Sequence, residues 1–392
     1  MMQGRPEATL RLVLLLILCS CTWQRSTEQG ERSVPAAGGR DRRPPLECHR
    51  RPGESTSNQF PSLSPRGETP CFPTWPAELQ RRTLPIVRSF QGELGLYVRV
   101  IGKRGVYDLH AQSPFYLAST VKVPLLVALL HEAREGNLDL RQRITLSREH
   151  YRDGGHHLMA LPEGTELSLE EVASYMVEKS DNAATDLLFD RLGVERVNHL
   201  VRELGFAELG PLLPMLEVRR AVWGFLEPRA RSFTAKDFID LWLAKTPAKR
   251  VAVFNGKLRP RGTFTVAELD RAFAAFYSSG YNTSTLEAFA GFLERLYLRQ
   301  VLGDPYDGKV LNLMGRCETG ANRLRKHFPP QATFAHKTGT QHQLVVDLGL
   351  AELPCVQGVL IAAYARKFKT RTGGDAALAS LGRATLQALC GE

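Results

Sequence analysis

Hydrophobic and polar positions divide the chain into three regimes. Seven consecutive apolar residues, from Leu12 to Leu18, follow basic Arg5 and Arg11. A helix needs ~20 such residues to span a bilayer, so this run is too short. It matches the apolar core of a secretory signal covering residues 1–20. From Thr22 to about Gln80 neither a period of 2 nor one of 3.6 is sustained. Nine of the 23 prolines lie there, between Pro35 and Pro76. Such sequence cannot bury enough apolar surface to offset its ordering entropy, and residues 21–80 are expected to form a disordered tether. Periodic sequence then continues from residue 81 to residue 392.

Within that last stretch a short helix is expected over 79–90. It leads into a strand over 94–101, a Gly102–Gly105 turn and a second strand over 106–110. Over 119–134 apolar residues cover the whole circumference of a helix, which must therefore be buried. Pro124 is compatible with it only in the first turn, so the helix should start near Thr120 or Val121. Ser168-Leu169-Glu170-Glu171 reads as a capping box opening a helix to Lys179. A further helix over 183–192 closes at Gly193. Three strands are expected over 334–340, 344–350 and 356–364, and a final helix after Asp375. Strands at both ends with helices between predict an α+β fold, in which one sheet is completed by both termini and encloses an all-helical subdomain.

Composition excludes wholesale disorder, with 43% hydrophobic and 23% charged residues among 392. The net charge is +10. Residues 1–20 carry Arg5, Arg11 and Glu7, and the tether has eight arginines against seven acids, so the excess belongs to the folded part. There it suits carboxylate-bearing substrates better than nucleic acid. The densest basic run, residues 366–371, lacks the repeated aromatics of a base-stacking surface, and no nucleic-acid partner is expected. Seven cysteines are too few for a disulfide scaffold. Cys48 and Cys71 could pair across the tether. Leu18-Cys19-Ser20-Cys21 resembles a bacterial lipobox, cut before Cys21 with the lipid on that thiol; the alternative is an ordinary signal peptide. The expectation is a monomer in the bacterial cell envelope, anchored to a membrane by lipid and facing the periplasm or the exterior. The ten histidines show no metal-ligand spacing, and neither a metal nor another cofactor is expected.

Three short motifs occur in order: Ser119-Thr120-Val121-Lys122, Ser180-Asp181-Asn182 and Lys337-Thr338-Gly339. A serine hydroxyl is a poor nucleophile until a base takes its proton. Positions three apart share a helix face, so Lys122 can reach Ser119. Burial beside a second cation, Lys337, would let Lys122 lose its proton. Backbone N–H groups at Ser119 and at Thr340 could hold a developing oxyanion. Ser180 could relay a proton to the leaving nitrogen, while Lys337 and Thr338 hold a substrate carboxylate. Gly339 would let the substrate approach the strand edge. Taken singly, each serine reads equally well as a helix cap. One mechanism, however, uses the whole set.

With these residues the chain resembles a class A β-lactamase. The resemblance covers roughly residues 85 to 392, and residues 180–193 and 319–325 carry it beyond the motifs. It implies an antiparallel sheet flanked by helices, a helical domain, a cleft between them, and a serine acyl-enzyme in which Asn182 helps bind substrate. Departures accompany it. The family's deacylating glutamate falls nearest Glu217, but the asparagine that helps hold water is missing. The plain alternative for Glu217 is a solvated partner of Arg219 or Arg220. The strand after Lys337-Thr338-Gly339 lacks a supporting arginine, and His156-His157 stands near a residue that gates the family's cleft. Residues 245–287 are extra sequence, expected to be a surface insertion in the helical domain.

Three functions are compatible with this sequence: a serine β-lactamase working through a Ser119 acyl-enzyme, a penicillin-binding-type peptidoglycan acyl enzyme with slow deacylation, and a lipoprotein that binds cell-wall peptide or β-lactam without turnover.

Overall fold

A computed structural model describes residues 74–206 and 208–391. The signal, Cys21, and Cys48 with Cys71 lie outside the described residues. In chain order the elements begin with α1 (Trp75–Ser89), β1 (Glu93–Val100), β2 (Val106–Leu109), β3 (Phe115–Tyr116), α2 (Lys122–Arg134), β4 (Arg143–Thr145) and β5 (Glu166–Ser168). Helices follow: α3 (Leu169–Glu178), α4 (Asn182–Leu192), α5 (Val194–Glu203), α6 (Met215–Leu226), α7 (Ala235–Leu243), α8 (Pro247–Lys257) and α9 (Val266–Tyr277). The chain closes with β6 (Thr283–Ser284), α10 (Leu286–Tyr297), α11 (Tyr306–Gly315), β7 (Thr333–Gln341), β8 (Leu344–Leu353), β9 (Val356–Arg366) and α12 (Arg371–Cys390).

The fold is α+β. Five strands form an antiparallel sheet in the order β2-β1-β9-β8-β7, built from both ends of the described chain. Both faces are buried, so its strands read as continuous apolar runs. Along β9, Leu360, Ala362 and Tyr364 join the large core shared with the helical part. Val359, Ile361 and Ala363 turn to the opposite face, where α1 and α12 cover the sheet. Helix α2 is buried at nearly every position, as its unbroken hydrophobicity requires.

Two boundaries and the character of one segment differ from the sequence expectation. Helix α1 starts at Trp75, inside the stretch read as tether. Pro76 sits in its first turn, where a missing N–H costs nothing, and Trp75 and Leu79 are buried. Helix α12 starts at Arg371, capped by the Thr370 side chain, ahead of the expected Asp375. The segment 245–287 is no surface elaboration. Strand β6 pairs with β3 just ahead of Ser119, and buried Asn282 accepts the N–H of Leu117 and that of Leu213. A disulfide between Cys355 and Cys390 ties the β8–β9 turn to the end of α12.

Candidate active site

The chain enters the site through β3. After Leu117 a 3-10 turn over Ala118–Val121 precedes α2, so Ser119 lies one turn ahead of the α-helix rather than on it. In a 3-10 turn positions i and i+3 eclipse, which stacks Ser119 and Lys122 on one face. Ala118 holds a left-handed backbone (φ 50°) that only a tightly packed surrounding sustains in a non-glycine residue, and it is 4% exposed. Among the described residues, no hydrogen bond engages the Ser119 hydroxyl, which is half-buried.

The second motif fills the break between α3 and α4. Ser180 is also left-handed (φ 59°), and Asp181 caps α4 by accepting the N–H of Ala184. The same Asp181 carboxylate accepts the N–H groups of His157 and Leu158, tying down the loop that precedes it in space. That loop lies very close. A methyl group on Gly155 would stand 2.7 Å from the backbone nitrogen of Asn182.

Two lysines converge on Ser180. The buried Lys122 Nζ donates to the Ser180 carbonyl at 2.6 Å, to Asn182 Oδ1 at 2.9 Å and to Ser180 Oγ at 3.3 Å. Lys337 Nζ donates to Ser180 Oγ at 2.9 Å. Burial first, and then the ammonium of Lys337, push the pKa of Lys122 well below that of an ordinary lysine. Burial also lowers Lys337. Asn182 uses its other end to donate to the Asp153 carbonyl at 2.7 Å.

The third motif lies on β7, the edge strand of the sheet. A methyl group on Gly339 would meet the Leu117 carbonyl at 2.6 Å and the Ser119 nitrogen at 3.3 Å, so only glycine lets this edge pass the nucleophile turn. Behind Thr340 stands Arg323, from the loop after α11. It is 3% exposed, donates to the Gly339 carbonyl at 2.9 Å and to Thr340 Oγ1 at 2.6 Å, and pairs with Asp375 at 2.7 Å. A guanidinium thus stands behind Thr340 from the loop after α11, not from the following strand. Ser119, Ser180, Asn182, Thr338 and Thr340 line one cavity of about 530 Å³.

A model of the beta-lactamase enzyme family matches residues 78–389. The chain belongs to that family. It is 29% identical over 248 residues to the beta-lactamase regulatory protein BlaB of Streptomyces cacaoi, covering 60% of this chain and 72% of that protein. Its fold resembles a beta-lactamase of Chitinophaga pinensis (TM-score 0.60, 21% identity, 79% of this chain and 98% of the other). It also resembles a variant of PBP-A solved as an acyl-enzyme with penicillin G (TM-score 0.59, 21% identity, 80% and 96%).

Against this family background the α6 region departs from expectation. Glu217 does not line the cavity. Its carboxylate is 47% exposed and pairs with Arg220 at 2.7 Å. The start of α6 is set by buried Asp186 on α4, which accepts the N–H groups of Met215 and Leu216 and pairs with Arg152 at 2.7 Å. That anchor presents Met215 and Arg219 to the cavity and leaves Glu217 on the outer face. Only two carboxylates line the cavity among the described residues, and both are engaged: Asp153 with Arg219 at 2.6 Å and Asp375 with Arg323. At the mouth, Gly154 lines the cavity, while His156 and His157 stack on each other outside it. No group of three or more His, Cys, Asp or Glu side chains among the described residues is placed to hold a metal.

Proposed function

We propose that this β-lactamase-family protein is a serine acyl-enzyme that opens a β-lactam, or the terminal amide of a peptidoglycan peptide, at Ser119 and then releases the acyl group slowly. Neutral Lys122 takes the Ser119 proton as Oγ attacks the carbonyl carbon. The oxyanion is held by the N–H groups of Ser119 and Thr340. As the C–N bond breaks, the Ser180 hydroxyl passes a proton to the leaving nitrogen and is replenished by the lysine ammonium groups hydrogen-bonded to it. Lys337 and Thr338, backed by Arg323, bind the substrate carboxylate.

One observation carries the slow second step. Among the described residues, Ser119, Ser180 and Thr338 line the cavity together with no carboxylate free of an arginine to activate water. This favours the penicillin-binding-type reading over steady hydrolysis. With a chromogenic cephalosporin, purified residues 74–392 are expected to give a burst of about one equivalent followed by a stall, and Ser119→Ala no burst. Turnover continuing at an undiminished rate past the first equivalent would defeat the slow-release reading; no burst from the unaltered protein would defeat acylation itself.

The location is part of the same proposal. The apolar run at Leu12–Leu18 and the lipobox-like Leu18-Cys19-Ser20-Cys21 support a Cys21 lipid anchor in the bacterial envelope. Cys21→Ala is then expected to move the protein from the membrane to the soluble fraction. Equal membrane retention by both forms argues against the anchor.

A further inference from the structure

The cavity extends past the reacting groups to a wall built by α6, α7, α8 and α9, and two properties of this wall do not serve the reaction just described. It is aromatic, through Trp223, Phe238, Trp242 and Phe273. It is also cationic. Arg219, Lys245 and Arg250 line it, and among the described residues the only acid lining it beside them is Asp153, already bound to Arg219. Arg250 is the uncompensated member. Its Nε is buried and finds no hydrogen-bond partner among the described residues. Burial and then repulsion from Arg219 pull its pKa down, with Asp153 opposing them.

A buried guanidinium N–H without an acceptor is costly, and such groups ordinarily find one. The substrate carboxylate does not supply it, because that group belongs to Lys337 and Thr338 on β7. In a cavity open to solvent, that acceptor is either water or another part of the ligand, and a charged ligand group competes best for it. The aromatic side chains around it fit an apolar or aryl body, and a planar guanidinium suits a carboxylate.

We propose that Arg250, with Lys245 at the rim and the Arg219–Asp153 pair beside it, forms a second anion subsite that selects substrates bearing a carboxylate on the acyl side chain. This rests on Ser119 being the acyl acceptor, and it adds a substrate class: dianionic acyl donors with a bulky apolar side chain.

The test uses two penicillins that differ by one group, α-carboxybenzylpenicillin and benzylpenicillin. Acylation of Ser119 is followed by mass spectrometry, and the ratio of their second-order rate constants is compared between the unaltered protein and Arg250→Gln. The ratio is expected to fall about tenfold, the worth of one charge-assisted hydrogen bond. Arg250→Lys, which keeps the charge, is expected to retain part of the preference. Because both penicillins are measured on the same protein, loss of folded enzyme or of general reactivity cancels from the ratio. A ratio unchanged by Arg250→Gln overturns the subsite. If neither penicillin acylates, the reading of the reaction fails on its own. The subsite is then decided by calorimetric binding of the same pair to Ser119→Ala, where equal or absent binding overturns it. A D-alanyl-D-alanine peptide with a free side-chain carboxylate, run as a competitor against its carboxamide, separates the two sources of such a group. Stronger competition by the carboxylate extends the subsite to wall peptides, and equal competition assigns it to the penicillin side chain alone.

Discussion

Replacing Lys122 by alanine is expected to slow acylation of Ser119 by a β-lactam about a thousandfold, within the range a positioned general base contributes. The proposed role of Lys122 as the base rests on where its amine lies. It is fully buried, at hydrogen-bond distance from Ser180 and Asn182, and close enough to Lys337 for the two ammonium groups to repel. Both effects lower its pKa, so the neutral, proton-accepting form exists above that lowered value. The rate should therefore rise with pH through the titration of Lys122. It should fall again where Lys337, itself lowered by burial, loses the proton that holds the substrate carboxylate. Lys122→Arg separates chemistry from architecture. Arginine restores a cation and hydrogen-bond donors but cannot deprotonate, so it should be as slow as alanine. Both variants should lose the acidic limb of the pH profile. Arginine acylating within tenfold of the unaltered protein, with the acidic limb in place, would mean that Lys122 only holds Ser180 and Asn182.

The three motifs were readable in sequence because each is contiguous and each sits at a feature that leaves its own trace. Ser119 precedes an all-apolar helix, Ser180 fills the gap after a capped helix, and Lys337 stands on a strand of a closing hairpin series. What sequence could not supply is the phase of an element held from elsewhere. Counting along the chain brings Glu217 near the expected distance from Ser180. The carboxylate of Asp186, however, grips the N–H groups of Met215 and Leu216 and rotates α6 so that Met215 and Arg219 face inward. Asp153, Arg250 and Arg323 stand alone in loops or on helix faces far apart in sequence, and they acquire a role only when the fold gathers them. Arg323 lay inside the run 319–325 that carried the family resemblance, which was the one signal available for it. Gly373-Gly374 disguised the start of α12 in the same way that Pro76 disguised the start of α1. Pro76 occupies the first turn of α1, where its missing N–H costs nothing, and Gly373-Gly374 fall in the first turn of α12.

Asp186→Ala is expected to destabilise the protein by about 3–5 kcal/mol, the usual consequence of removing one partner from a buried ion pair. The side chain is 2% exposed and serves three donors: Arg152 Nε and the N–H groups that open α6. Alanine strands all three, and the guanidinium cannot shed its charge. The mirror variant, Arg152→Ala, should be milder. It leaves a carboxyl group whose pKa burial already holds above the ordinary aspartate value and which can take up a proton. The sign of the pH dependence follows. Without Arg152 the folded-state pKa of Asp186 stands above its unfolded value, so the folded state binds the extra proton as pH falls. The penalty of Arg152→Ala should then shrink on acidification through that folded pKa, whereas the penalty of Asp186→Ala should not. Denaturant titrations of both variants at several pH values measure this directly. A large penalty for Asp186→Ala beside none for Arg152→Ala would show that Asp186 acts only as a cap on α6, with no net contribution from its ion pair. A larger loss for Asp186→Ala that does not shrink on acidification, beside a smaller loss for Arg152→Ala that does, would place the anchor of the cavity wall in the Asp186–Arg152 pair, the contact that sets which residues of α6 face the cavity.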